Sequence, residues 1–147
     1  MQEFEQIEIL LVEDNPLDAE LTMTALKSGK VANKITWVKD GEEALEYLFR
    51  TGRYAHRTDM QPRLVFLDLK MPKVDGIEVL KAVKSNESTR RIPVVVMTSS
   101  QEESDVAKTY DLGVNSYVVK PMDFNTLAEV TCKAGYYWLA INRSVPT

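Results

Sequence analysis

A chain of 147 residues, 44% hydrophobic and 27% charged, has the size and balance of one globular domain with a real core. Its net charge of −4 argues against nucleic acid as a direct partner, which calls for a basic surface. The single cysteine, Cys132, excludes an internal disulfide; no basic-then-apolar leader opens the chain and no apolar run reaches about 18 residues, so a cytoplasmic protein with no membrane span is expected.

Five short apolar runs read as strands: residues 7–12, 34–38, 64–69, 92–98 and 116–119. Three of them (IEILLV, LVFLDL, IPVVVMT) are nearly continuous in apolar residues, as in a parallel sheet covered on both faces. After the first run, Asn15-Pro16 gives a cap and a first-turn proline, and Leu17, Leu21, Thr24, Ala25 and Ser28 share one helical face before Gly29. After the second, Asp40-Gly41-Glu42-Glu43 resembles a capping box, followed by Ala44, Leu45, Leu48 and Phe49 at helical spacing. Asp75-Gly76-Ile77-Glu78 repeats the device after the third run, and Ser100-Gln101-Glu102-Glu103 after the fourth, in a segment ending at Gly113. From Asp123, the last helix places Phe124, Leu127, Val130, Ala134, Trp138 and Ile141 on one stripe. The one long connection covers residues 51–63; it holds the only histidine, His56, which cannot build a zinc site alone. Strand and helix alternate five times, which argues for a doubly wound α/β fold with a parallel five-stranded sheet.

In such a sheet ligands bind outside the carboxyl ends of the strands. Glu13 and Asp14 follow the first strand, and Asp68 falls at the end of the third. In both common strand orders these strands are neighbours or nearly so, and three carboxylates meeting there would repel unless a cation joined them. Mg²⁺ suits few carboxylates, several waters and a phosphate. Thr98 ends the fourth strand and Lys120 follows the fifth, so a hydroxyl and an ammonium share that edge. Each residue alone has a plain explanation as a cap or a turn. Together, every polar exception falls at a carboxyl end, which makes a phosphoryl site with a carboxylate nucleophile.

These residues, in the contexts Val12-Glu13-Asp14-Asn15-Pro16, Leu67-Asp68-Leu69-Lys70-Met71-Pro72 with Asp75-Gly76, Pro93 through Ser100, Gly113-Val114-Asn115-Ser116-Tyr117 and Lys120-Pro121, resemble the receiver domain of response regulators in two-component signalling. The match runs from Glu8 through the last helix. The resemblance implies a flavodoxin-like sheet of order 2-1-3-4-5, and one receiver domain over residues 1–147, core about 7–141, with no output domain. It implies Asp68 as phosphoacceptor, and Mg²⁺ on Glu13, Asp14, Asp68 and the Lys70 carbonyl. Thr98 and Tyr117 would be the switch pair, and Lys120 the phosphate-binding lysine. The donor would be a sensor histidine kinase, and the chain would catalyse its own phosphorylation and dephosphorylation rather than turn over a substrate. The family also suggests a cis bond at Lys120–Pro121, against the trans preference of such bonds.

The 53–63 loop, the Pro62–Pro72 stretch and Tyr136-Tyr137-Trp138-Leu139 look like the small stand-alone regulators paired with cyanobacterial phytochromes, which would make the kinase a phytochrome. Tyr136, Tyr137 and Leu139 exceed what the buried stripe of the last helix needs, so a homodimer through the fourth helix, fifth strand and fifth helix is expected. Two other readings compete. A flavodoxin-like ligand-binding module would want Gly, Ser and Thr in the first turn, which here is acidic. An aspartyl-phosphate phosphatase would want an acid two residues after the nucleophile, where this chain has Lys70.

Overall fold

The computed structural model describes residues 7–32 and 34–143; residues 1–6, read above for a leader, lie outside them. Five parallel strands, β1 (Glu8–Val12), β2 (Lys34–Val38), β3 (Leu64–Leu67), β4 (Val94–Thr98) and β5 (Ser116–Val119), form one sheet in the order β2-β1-β3-β4-β5. Between and after them run α1 (Pro16–Ser28), α2 (Gly41–Phe49), α3 (Gly76–Ser85), α4 (Glu103–Asp111) and α5 (Phe124–Tyr136), the last continued by a π-helical turn at Tyr137–Ile141. This is the expected doubly wound fold. None of the described helices is long and apolar enough to cross a membrane.

The alternation of side chains along each strand sorts the core into two layers. Leu10, Val12, Val65, Leu67, Val94 and Val96 pack under α2 and α3 with Ala44, Leu48, Val79 and Leu80. Ile9, Leu11, Leu64, Phe66, Val95 and Met97 pack under α1 and α5 with Ala19, Leu26 and Leu127. Every residue of β1, β3 and β4 is buried, which is why these runs read as continuously apolar.

Four details depart from the sequence expectation. β3 stops at Leu67, because the chain turns there and the Leu69 carbonyl instead accepts from Gly76 N–H. The buried face of α1 is Ala19, Thr22, Ala25 and Leu26, leaving Leu17 62% exposed; docking on α5 and the sheet selects that face over the one holding more leucine. Ser100 does not cap α4: the helix begins at Glu103, and the Ser100 hydroxyl donates to Asp105 Oδ2 at 2.6 Å. On α5 the buried stripe is Leu127, Thr131 and Gly135, with Ala134 and Trp138 partly buried against the same layer and Phe124 and Ile141 exposed; the helices pack closely, since a methyl at Gly135 would lie 3.2 Å from Leu26 on α1 and 2.8 Å from Val31 just beyond it. Tyr136 and Tyr137 are exposed, as expected from their excess over the stripe, whereas Leu139, expected with them, is partly buried against the α1–α5 layer of the core.

The long connection is ordered by polar contacts that reach a buried acid. Glu8, on β1, is 4% exposed; its Oε2 accepts from Thr36 Oγ1 at 2.6 Å and from the Tyr47 hydroxyl. The Arg57 guanidinium lies 4.0 Å from the centre of the Tyr47 ring and donates to the Tyr47 carbonyl, to Asp59 and to Met60. Tyr47 thus ties the loop to the sheet. Replacing Tyr47→Phe keeps the ring and leaves a buried carboxylate short of one donor, an expected loss of about 1–3 kcal/mol. Urea unfolding measures it; an unchanged midpoint would show that Glu8 does not depend on this hydroxyl.

Candidate functional site

Four loops at the carboxyl end of the sheet bring the polar residues together. The β1–α1 turn carries Glu13 and Asp14 and ends in Asn15, whose side chain caps α1 by accepting from Leu17 and Asp18 N–H. Asp68 follows β3, directly beside β1, and its N–H still donates to the Val12 carbonyl. Adjacent strands therefore put Glu13, Asp14 and Asp68 side by side, with one carboxylate oxygen from each within 4.8 Å of the others. Glu13 and Asp68 are buried, and Asp14 faces solvent.

Lys120 closes the cluster from the other side. Its ammonium contacts the Glu13 carboxylate and lies 3.2 Å from Asp68 Oδ2 and 3.2 Å from Asp18 Oδ2. Asp18 was missed as a site residue, since in the sequence it reads only as a first-turn acid of α1. No described peptide bond is cis, so the expected cis bond at Lys120–Pro121 is corrected. The lysine stem is long enough to reach all three acids from a trans bond, and nothing offsets the trans preference.

Burial pushes Glu13 up from its ordinary 4.5 to about 7; the Lys120 hydrogen bond opposes the rise and the neighbouring Asp68 charge adds to it. Burial opposes a charge on Lys120, but its hydrogen bond to Glu13 and the fields of Asp68, Glu13 and Asp18 outweigh that and hold the ammonium above its ordinary range.

Thr98 is fully buried at the end of β4, where its Oγ1 accepts from Ser100 N–H at 3.3 Å; no hydrogen bond joins it to the acids among the described residues. Its carbonyl accepts from Lys120 N–H at 2.8 Å, so threonine and lysine share one rung. The Tyr117 hydroxyl donates to the Ser100 carbonyl at 3.0 Å. Lys70 N–H donates to Asp68 Oδ1 at 3.3 Å, and the Lys70 ammonium lies 3.7 Å from Asp105 on α4. Beside these residues opens a cleft of about 520 Å³, lined among others by Asp14, Lys70, Met71, Pro72, Asp75 and Asp105. The arrangement can hold a hard cation on oxygen, present a carboxylate as nucleophile, and neutralise phosphoryl oxygens with Lys120.

The raised Glu13 value has a definite sign. The folded state holds a proton that the unfolded state releases near pH 4.5, so this contribution is complete below that pH and is lost as the pH rises through about 7. In chelator, the wild type should lose urea stability over that window, and Glu13→Gln should lack that part of the slope. Parallel pH profiles for the two proteins would contradict it.

Residues 9–131 match the response regulator receiver domain family. The chain is 45% identical over 136 residues, 92% of this chain and 86% of the relative, to the probable methanogenesis regulatory protein FilR2 of Methanothrix harundinacea. Among solved structures, that of the phosphorylated cyanobacterial phytochrome response regulator RcpA matches with a TM-score of 0.90 at 38% identity, covering 97% of this chain and 100% of that one. The Mn²⁺-bound form of response regulator Rcp1 matches with a TM-score of 0.88 at 36% identity, over 95% of this chain and 99% of that one. With its sheet order, its edge of acids and this match over most of its length, the chain belongs to the response regulator receiver domain family.

Proposed function

We propose that the chain is a phosphorylation switch that accepts a phosphoryl group on Asp68 with Mg²⁺ held by Glu13, Asp14, Asp68 and the Lys70 carbonyl. The observation that carries this reading is the convergence of three carboxylate oxygens within 4.8 Å, faced by the Lys120 ammonium, which pairs with Glu13 and Asp68. That oxygen-only donor set fits a hard divalent cation, and relatives point the same way through the Mn²⁺-bound Rcp1. When bound, the cation would neutralise charge on the transferring group.

The chain's own residues account for the rest. Asp68 Oδ2 meets Lys120, and Asp68 Oδ1 accepts from Lys70 N–H, so the carboxylate is held at both oxygens and aimed at the edge. One of its oxygens attacks phosphorus while the bond from phosphorus to a donor imidazole nitrogen breaks, the electron pair leaving with the imidazole. Lys120 draws charge from the phosphoryl oxygens, and the Thr98 hydroxyl donates to one of them. Tyr117, tethered to the Ser100 carbonyl, is released or retained as the loop after Thr98 shifts. Labelling from a small phosphodonor should require both parts. Asp68→Asn, or excess chelator, should remove essentially all incorporation; undiminished labelling in either would overturn the assignment.

The donor we infer is a sensor histidine kinase, with a phytochrome the favoured class because of the likeness to RcpA and Rcp1. Leu17, three residues after Asp14, and Met122, two after Lys120, stand 62% and 104% exposed. An apolar rim suits a protein donor, whereas a small phosphodonor has no use for it. Met122→Lys should therefore slow transfer from the phosphorylated kinase about tenfold or more and leave small-donor labelling unchanged, a difference of at least ~1.4 kcal/mol in the docked state. Equal slowing with both donors would assign Met122 to the site itself.

Pairing of two copies through α4, β5 and α5 is supported by exposed Tyr110, Val119, Phe124 and Tyr136 on those elements. Sedimentation over a concentration series should show a dimer that tightens on phosphorylation. A monomer at high micromolar concentration in both states would exclude it.

A further inference from the structure

One residue outside the acid cluster is built into its backbone. Trp37 lies on the edge strand β2, paired in register with Leu11, and its ring packs with the α1–α5 layer of the core. Its indole N–H donates to the Glu13 carbonyl at 2.7 Å. The reason lies in how the β1–β2 ladder ends. Glu13 N–H makes the last rung with the Val38 carbonyl, after which β2 stops and Asp40 turns away to cap α2. Lys39 N–H is taken by the Glu13-independent acceptor Glu43 Oε1 at 3.1 Å. The carbonyl between Glu13 and Asp14 is thus beyond the ladder, and a side chain satisfies it instead of a strand.

We infer that Trp37 is a positioning residue for the acidic turn: its hydrogen bond fixes the peptide between Glu13 and Asp14, and so fixes the two carboxylates for the cation they share with Asp68. The inference rests on the cation reading proposed above. A peptide free to rotate at this point would swing the exposed Asp14 carboxylate away from Asp68. Trp37 is also a reporter, since its indole sits one peptide from the site. The other tryptophan, Trp138, donates to Ser116 Oγ at 3.0 Å at the opposite end of β5 from Lys120.

The test uses the full chain and magnesium chloride. Calorimetric titration of the wild type and of Trp37→Phe, which keeps an aromatic ring in the core but removes the donor together with part of the ring's volume, compares Mg²⁺ affinity directly. Mg²⁺ binding about five- to tenfold weaker in Trp37→Phe, with the melting temperature lowered by only several degrees, is the expected result for one lost hydrogen bond and a trimmed ring. Emission gives a second readout that leaves the hydrogen bond intact. In Trp138→Phe, where Trp37 is the only tryptophan, fluorescence should change on Mg²⁺ addition with the calorimetric midpoint; in Trp37→Phe the change should vanish. Should Trp37→Phe melt far below wild type, the Trp138→Phe emission decides alone, and no Mg²⁺ response there overturns the inference. Equal Mg²⁺ affinity in wild type and Trp37→Phe overturns it while leaving the cation reading intact. A wild type that takes up no Mg²⁺ overturns both.

Discussion

The interaction on which the carboxyl end of this sheet depends is the ammonium of Lys120 set among Glu13, Asp18 and Asp68. Two unit charges about 4 Å apart interact by about 1 kcal/mol in water but about 4 kcal/mol at the effective dielectric of a partly buried site. The same factor multiplies the repulsion among the acids and the attraction to the lysine. Glu13 shows the balance: burial and Asp68 raise it, and Lys120 alone pulls it back. The site is therefore poised. One cation cannot neutralise three carboxylates and the nearby Asp14, and the surplus negative charge is an attraction for a divalent ion.

That poise requires the acids to be close, and closeness follows from parallel pairing. β1 and β3 are adjacent and in register, with Val12 opposite Leu67, so the residues that follow each strand emerge side by side. β4 and β5 do the same for Thr98 and the approach to Lys120. The turns are held independently by caps: Asn15 on α1, Asp40 on α2, Asp75 on α3. Behind Asp68 the packing is tight, because a methyl at Gly76 would lie 2.2 Å from the Asp68 carbonyl. The start of α3 and the loop that carries Asp68 are thus in direct backbone contact, and a side chain at 76 would move that loop.

Ser100 joins the site to the surface. Its N–H donates to Thr98, its hydroxyl to Asp105 and its carbonyl accepts from Tyr117, while Lys70 reaches the same Asp105 from the Asp68 loop. A change at Asp68 has a short physical route to α4 and β5 through these contacts, the elements that carry exposed Tyr110 and Val119. The links are few, single hydrogen bonds near the surface, each worth about 1 kcal/mol. That is the scale on which an element can be shifted without unfolding the domain.

Much was legible in the chain before folding. The apolar runs of β1, β3 and β4 and the cap residues Asn15, Asp40 and Asp75 are local signals, and periodicity reads them. Asp68, Glu13, Asp14, Thr98 and Lys120 were legible because each sits at the end of an apolar run, and the topology sends all such ends to one edge. Tertiary structure decided what local signals do not carry. Helix faces went to the side that docks, so Leu17 and Phe124 lie outside while Thr131 and Gly135 lie inside. Ser100 resembled a cap, but Asp105 claimed its hydroxyl. Asp18 and Trp37 entered the site from elements far from Lys120 and Glu13 in sequence, by the reach of a long side chain across a strand or loop. Sequence determines which residues can be near an edge; only packing determines which side chain finds the unpaired carbonyl or the third carboxylate, since those partners exist only once the layers are in contact.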